Sequence, residues 1–312
     1  MRIARYDELA WTRTIGSRGS GDYNDDSLPE DKRQGGRQRT LFKGTPHTHG
    51  NFEMVVLRTV RSEAVRHYPR HHHDFDQLRM TLSGNPEWAP GIRTPQGWVI
   101  YVAAGTFYGP YDRQEGEEQL HIQFEGANRA LFIDYDSLKA ARDALAKKGT
   151  FERGFYTWVD EQGRRHNQDG HEANAEYASG KPVEYPTPRY SHPINLDPAA
   201  FAWSELEPGV TQKHLATFTE RDARVWMLRL EGDVAFRVTS PEQTTLLFVK
   251  SGAGKADGEP IKERDGMLLD KGEAGVLATA EHLEVLLLGL PKVEQPEGSE
   301  AAAPTLAGAA AS

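Results

Sequence analysis

The sequence predicts an all-β protein made of two successive strand-rich halves, joined by a short helix and an irregular connector. Three observations predict it. From Phe52 to Phe124, short apolar runs (Leu78–Leu82, Trp98–Ala103, Gln119–Phe124) alternate with Gly, Pro and Asn turns and show no helical period. From Phe201 to Leu290 the same texture returns in Arg224–Leu230, Val234–Thr239, Thr244–Lys250, Gly275–Ala278 and Leu283–Leu290. Between them, Leu138, Ala141 and Leu145 recur at helical spacing within Asp136–Lys148. Short strands broken so often by turn residues argue for a sandwich or a barrel.

Taken in order, residues 1–15 are expected to add a strand or to wrap onto a neighbour. Gly16 to Thr40 offers almost nothing apolar to bury, which predicts a long flexible loop. Lys32, Arg33, Arg37 and Arg39 read there as solvated surface. Residues 1–50 are thus an arm and loop, and the first strand-rich domain covers 51–130, opening with Phe52–Val60. In 131–200 lie the helix, with Asp136 or Ser137 as its cap and Gly149 as its end, and a connector from Phe151 to Asp197. The connector's many aromatics predict that it packs onto a domain. The second domain covers 201–291, and the Ala-rich stretch 292–312 is expected to be disordered.

A length of 312 residues is enough for two domains of ordinary size. A net charge of −9 argues against nucleic acid or an anionic membrane surface as the partner. No apolar run reaches the roughly 18 residues of a membrane span. The first residues lack the apolar core of a signal peptide. Cysteine is absent, which removes disulfides, thiolate nucleophiles and sulfur-held metals and fits a cytoplasmic protein. Any metal must be held by nitrogen and oxygen.

The chemistry concentrates in His71-His-His-Asp-Phe-Asp-Gln77, with Gly84 seven residues further on. On extended chain His71 and His73 leave one face and His72 the other. The spacing His-x-His-x3-(Glu/Gln)-x6-Gly resembles the first motif of the cupin superfamily. Gly97, Ala103, Gly105, Tyr108 and Asp112 follow the family's second motif, Gly-x5-Pro-x-Gly-x2-His-x3-Asn, with Ala103, Tyr108 and Asp112 in place of proline, histidine and asparagine. The segments Phe75-Asp-Gln-Leu-Arg, Gly105-Thr-Phe-Tyr-Gly-Pro, Gln123-Phe-Glu-Gly and Gly149-Thr-Phe-Glu-Arg-Gly are similar to a group of bacterial two-barrel cupins. The resemblance covers about residues 45–290 and implies two cupin-type β-barrels (double-stranded β-helix, or jelly roll), the first with a metal centre. In the second barrel the family's ligand positions fall on Thr239, Pro241 and Thr245, and then on Leu283, so none can bind an ion in the family's manner.

By that resemblance His71, His73 and Gln77 would be metal ligands, although Gln77 stands where the family has a carboxylate. The other reading of the histidines is a hydrogen-bonded polar cluster in a barrel that has lost its ion. Tyr108, at the third histidine position, can ligate as phenolate, gate the cavity or donate to a substrate; an ordinary phenol, pKa about 10, is protonated near neutrality. His121, whose face Gln123 shares, is the replacement third nitrogen if it points inward. His47-Thr-His-Gly-Asn-Phe-Glu53 repeats the ligand spacing but has Val60 where the motif needs glycine, so it reads as the loop entering the barrel.

The expected function is that of a metal-dependent enzyme acting on a small, anionic organic molecule, first as an oxidoreductase of dioxygenase type. Redox-neutral isomerase, lyase or cyclase action with Tyr108 in proton transfer is the alternative, and a non-catalytic small-molecule binding protein is the third reading. The expected cofactor is one divalent transition metal, Fe(II) first, then Mn, Ni, Cu or Zn. A small-molecule substrate and a homodimer are the expected partners.

Overall fold

The computed structural model describes residues 1–14, 35–46, 48–60, 66–68, 70–126, 132–152 and 154–292. These residues are mostly strand, as expected, and build two large antiparallel sheets. The first sheet has seven strands in the order Ile194–Leu196, Val99–Val102, Phe75–Ser83, Glu118–Glu125, Phe52–Val60, Gly35–Lys43, Thr12–Thr14. Two small ladders, Arg66–Tyr68 with Tyr111–Arg113 and Glu87–Ala89 with Ile92–Arg93, meet it through Trp88 and Tyr111 packed on Ile100 and Val102. The second sheet runs through Arg2–Ala4, Gly266–Leu269, Thr245–Ala256, His282–Gly289, Ala223–Glu231, Val210–Phe218 and Ser204–Glu207.

Each barrel borrows a strand from beyond its own domain. Arg2–Ala4 pairs with Gly266–Leu269 of the second barrel and Thr12–Thr14 with Gly35–Lys43 of the first, so residues 1–15 add a strand to each. Ile194–Leu196, at the end of the connector, pairs with Val99–Val102 of the first.

The alternation of the strands decides what each face meets. In Phe75–Ser83, Leu78 and Met80 share one face and Gln77, Arg79 and Thr81 the other; in Glu118–Glu125, Leu120, Ile122 and Phe124 oppose Gln119, His121 and Gln123. The apolar set joins Val225, Met227, Phe248, Leu286 and Leu288 in one core between the barrels. The polar set therefore turns into the first barrel, and it is buried as well. The second barrel has its own aliphatic interior, including Val210, Leu247, Val249, Leu283 and Val285.

Several expectations are corrected. Gly35–Lys43 is a strand paired with Phe52–Val60, so Arg37 and Arg39 lie in a sheet and not on a solvated loop. Arg39 earns its place by stacking over Tyr6 and Trp11, 4.4 and 4.7 Å from their ring centres, so charge patterning misread a cation–π contact as surface. Phe52–Val60 is accordingly not the opening strand, and the first barrel reaches ahead of residue 51. The rest of the expected loop, residues 16–34 with Lys32 and Arg33, lies outside the described residues, as do residues 293–312 of the tail.

The helix is Tyr135–Leu145, capped by Asp134, whose carboxylate accepts from the N–H groups of Asp136 and Ser137 at 3.0 Å. Gly149 does not end it but opens a strand. The connector is not irregular throughout. It carries a three-stranded ladder (Gly149–Glu152, Phe155–Val159, Arg165–Asp169) and a second helix, Gly170–Ser179. No helix among the described residues is long and apolar enough to cross a membrane.

Candidate functional site in the first barrel

The inward rows of the two central strands form one wall. Arg79 lies opposite His121, and Gln77 opposite Gln123, in register. The facing wall is the segment around His71 and Tyr108, which exchange both backbone hydrogen bonds at 2.9 Å as an isolated bridge. Strand geometry proper begins only at Phe75, yet His71 and His73 do share a side, their ring centres 5.2 Å apart and edge-on. His72 turns away, as alternation requires, but its ring is stacked between Phe107 and Tyr185 at 4.0 and 3.7 Å and is only half exposed. Gly105 is needed next to it. Its φ is +79°, and a Cβ there would run into the carbonyl oxygen of Pro186.

The site's centre is a guanidinium. Arg79 donates through Nε to Gln77 Oε1 at 3.1 Å, through Nη2 to the same oxygen, and through Nη2 to the Tyr108 hydroxyl at 3.0 Å. Gln123 Nε2 also donates to Gln77 Oε1, at 3.3 Å. The Tyr108 oxygen lies 3.0 Å from His73 Nε2, so one phenol joins an imidazole to a cation. The guanidinium covers the face of the fully buried Trp88, 4.2 Å from the ring centre, and Arg113 lies 5.3 Å from the same ring.

His121 does point inward, but its Nε2 is spent on Gln119 Oε1 at 3.1 Å, an oxygen that also accepts from Arg113. Burial, reinforced by the charges of Arg79 and Arg113, holds its pKa well below the ordinary imidazole value, so it is neutral. With Nε2–H as the donor to that carbonyl, Nδ1 carries the lone pair and has no hydrogen-bond partner.

These residues do not fit a divalent ion as they stand. Gln77 Oε1 and the Tyr108 oxygen, two of the four positions at which the family holds metal, both accept from Arg79. A dication beside a guanidinium is repelled by several kcal/mol even at an effective dielectric of about 20, and among the described residues no carboxylate is paired with Arg79 to offset it. His121 does not join His71 and His73. Among the described residues no three His, Asp or Glu side chains are placed to hold a metal ion.

Sequence reasoning missed Arg79 and His171. The first was visible as the inward neighbour of Gln77. The second was announced only by a helix-start signal, Asp169-Gly-His-Glu172, whose Asp169 caps the helix from Gly170. That helix brings His171, 2 % exposed, edge-on to His73 at 4.8 Å, with Nε2 3.7 Å from Asp74. The look-alike motif is structural where it can be described: His49 Nδ1 lies 3.0 Å from Glu125, Glu53 lies 3.6 Å from Lys43, and His47 falls outside the described residues. In the second barrel, Thr239, Pro241 and Thr245 line a cavity of 260 Å³ with Trp226 and Phe236.

No family model matches this chain, and no curated protein matches it. Solved structures do. A protein of Nostoc punctiforme proposed to be a dioxygenase is similar over 95 % of this chain and 84 % of its own, with a TM-score of 0.59 and 12 % identity. An oxalate decarboxylase of Lactobacillus farciminis, solved as its formate complex, is similar over 93 % and 86 %, with a TM-score of 0.53 and 11 % identity. A protein of Geobacillus kaustophilus is similar over 94 % and 98 %, with a TM-score of 0.50 and 11 % identity. At such identities the likeness carries the fold alone, and on that ground the chain is a two-barrel protein of cupin fold.

Proposed function

We propose that the first barrel is the working half of this protein and that it performs redox-neutral proton transfer on a small organic anion, as an isomerase, lyase or cyclase does. The observation that carries the reading is the Tyr108 oxygen, 3.0 Å from both His73 Nε2 and Arg79 Nη2. A hydroxyl shared by a base and a cation can give up its proton to the imidazole while the guanidinium holds the charge left on oxygen. His73 then stores the proton and returns it. Arg79 draws in the anion, and the burial of His71, His73, Gln77, Arg79 and Tyr108 keeps bulk water from competing.

The test is deuterium exchange into small carboxylic acids in D₂O, followed by NMR with and without oxygen. Tyr108→Phe, which keeps the ring, should cut exchange by about 10²–10⁴ while the protein stays folded. Exchange unaffected by Tyr108→Phe would end this reading.

An oxidation of dioxygenase type is the second reading. The paired rings of His71 and His73 favour it, as does the likeness to the Nostoc protein. It requires a divalent metal ion, Fe(II) first, and a rearranged Gln77–Arg79–Tyr108 cluster to admit it. Stoichiometric metal in purified, untagged protein, together with oxygen uptake, would favour it over the first.

A further inference from the structure

We infer that Arg79 stands in the place of the family's metal and binds the carboxylate of a small organic acid directly. The inference rests on the first barrel being the ligand-binding half, as proposed above. Arg79 is 4 % exposed, yet all its partners are neutral: an amide oxygen, a phenol oxygen and an indole face. Among the described residues no carboxylate lies within ion-pair distance of it, nor of Arg113 on the same indole. A buried cation without a counter-charge costs several kcal/mol, and an apolar side chain of the same length would avoid that cost.

The surrounding atoms point the same way. Arg79 Nη1, Gln119 Nε2 and Trp88 Nε1 are buried and have no hydrogen-bond partner. All three are donors. Buried donors left unmet are rare in folded proteins, and three around one unpaired guanidinium call for an acceptor-rich, negatively charged guest. A carboxylate supplies two oxygens in the plane that a guanidinium matches. A metal ion supplies neither negative charge nor lone pairs: His121 Nδ1 could meet it, but the three donors and the guanidinium beside it could not.

The experiment uses full-length protein dialysed against EDTA and checked for metal by elemental analysis. Acetate, oxalate and benzoate are titrated by calorimetry, with benzamide as the uncharged counterpart of benzoate. At least one carboxylate should bind saturably to metal-free protein, and benzamide at least tenfold more weakly than benzoate if benzoate is the binder. Arg79→Gln should lose at least tenfold in affinity, the size expected for a charge-assisted hydrogen bond, and Arg79→Lys should recover part of it.

Binding only after Fe(II), Mn(II) or Zn(II) is restored would overturn the inference, as would equal affinity in Arg79→Gln or no binding by any of the three acids. Should Arg79→Gln fail to fold, the wild-type comparison of metal-free and metal-loaded protein still decides. Carboxylate binding without deuterium exchange would sustain this site and remove the proton-transfer function. Exchange on an uncharged substrate would do the reverse.

Discussion

The two barrels share a framework and differ in what they enclose. The inward positions of the central strands are Gln77, Arg79, Thr81, Gln119, His121 and Gln123 in the first, and Leu247, Val249, Leu283, Val285 and Leu287 in the second. Each aliphatic side chain buried in the second contributes about 1.5–3 kcal/mol. The polar interior of the first contributes little and, at Arg79, costs. Both barrels present the same kind of outer face to each other, where Leu78, Met80, Ile122, Val225, Met227 and Leu286 meet in one core. A barrel clamped from outside need not be stabilised from within. On the function proposed above, the second barrel and the seam would supply stability and leave the first barrel free for chemistry.

That comparison can be broken most severely at the exchanged strand. Deleting residues 1–9 removes the partner of Gly266–Leu269 and the Tyr6 N–H bond to Asp265 at 2.8 Å, and it bares a sheet edge. We expect aggregation on size-exclusion chromatography. A soluble monomer with native thermal stability would show that the second barrel is whole without the borrowed strand.

The next effect contrasts the interiors directly. Leu247→Ala, in the dry barrel, should cost about 2–5 kcal/mol in urea unfolding. Arg79→Met, in the polar barrel, should leave the ligand-free protein within about 1 kcal/mol of wild type or stabilise it, because it deletes an uncompensated buried charge. Equal losses would mean that both interiors serve stability.

The smallest effect concerns the seam side of the first barrel. Burial pushes the Asp76 carboxyl up from its usual 3.8 to about 7, offset in part by the hydrogen bond it accepts from Ala104 N–H. The folded state thus keeps a proton that the unfolded chain releases. The resulting stability is fully present below about pH 4 and is lost as pH rises through 7, by about 2 kcal/mol between pH 5 and 7. Asp76→Asn retains an acceptor for Ala104 and should flatten that slope, read as urea midpoints across the interval. An unchanged slope would assign the pH dependence to another group.

Much of this was legible in the residues. The motif spacing pointed to the barrel that holds the polar inward rows, and the alternation in Phe75-Asp-Gln-Leu-Arg-Met-Thr is enough to set Gln77 and Arg79 on one face. Arg79 carries no such signal, because the spacing of metal-ligand positions marks His, Glu and Tyr and says nothing of a cation between them. Arg37 and Arg39 read as surface for a related reason: a sequence does not display the aromatic ring on which an arginine such as Arg39 will lie. The ladder and helix within 149–180 were hidden in polar segments whose order comes from caps such as Asp169 and from packing, not from an apolar stripe.

By itself the sequence determined which side chains travel together, since a period of two is local backbone geometry and holds whatever surrounds the strand. It also determined where the chain turns. Only the tertiary structure decided what each face would meet. The apolar face of Glu118–Glu125 found the other barrel, and that contact turned His121 inward against Gln119. The strand Arg2–Ala4 closes onto Leu268, Met267 and Gly266 at the far end of the chain, and His171 reaches His73 from a helix nearly a hundred residues away. Contacts at that separation depend on how two sheets pack, and no local pattern of residues encodes them.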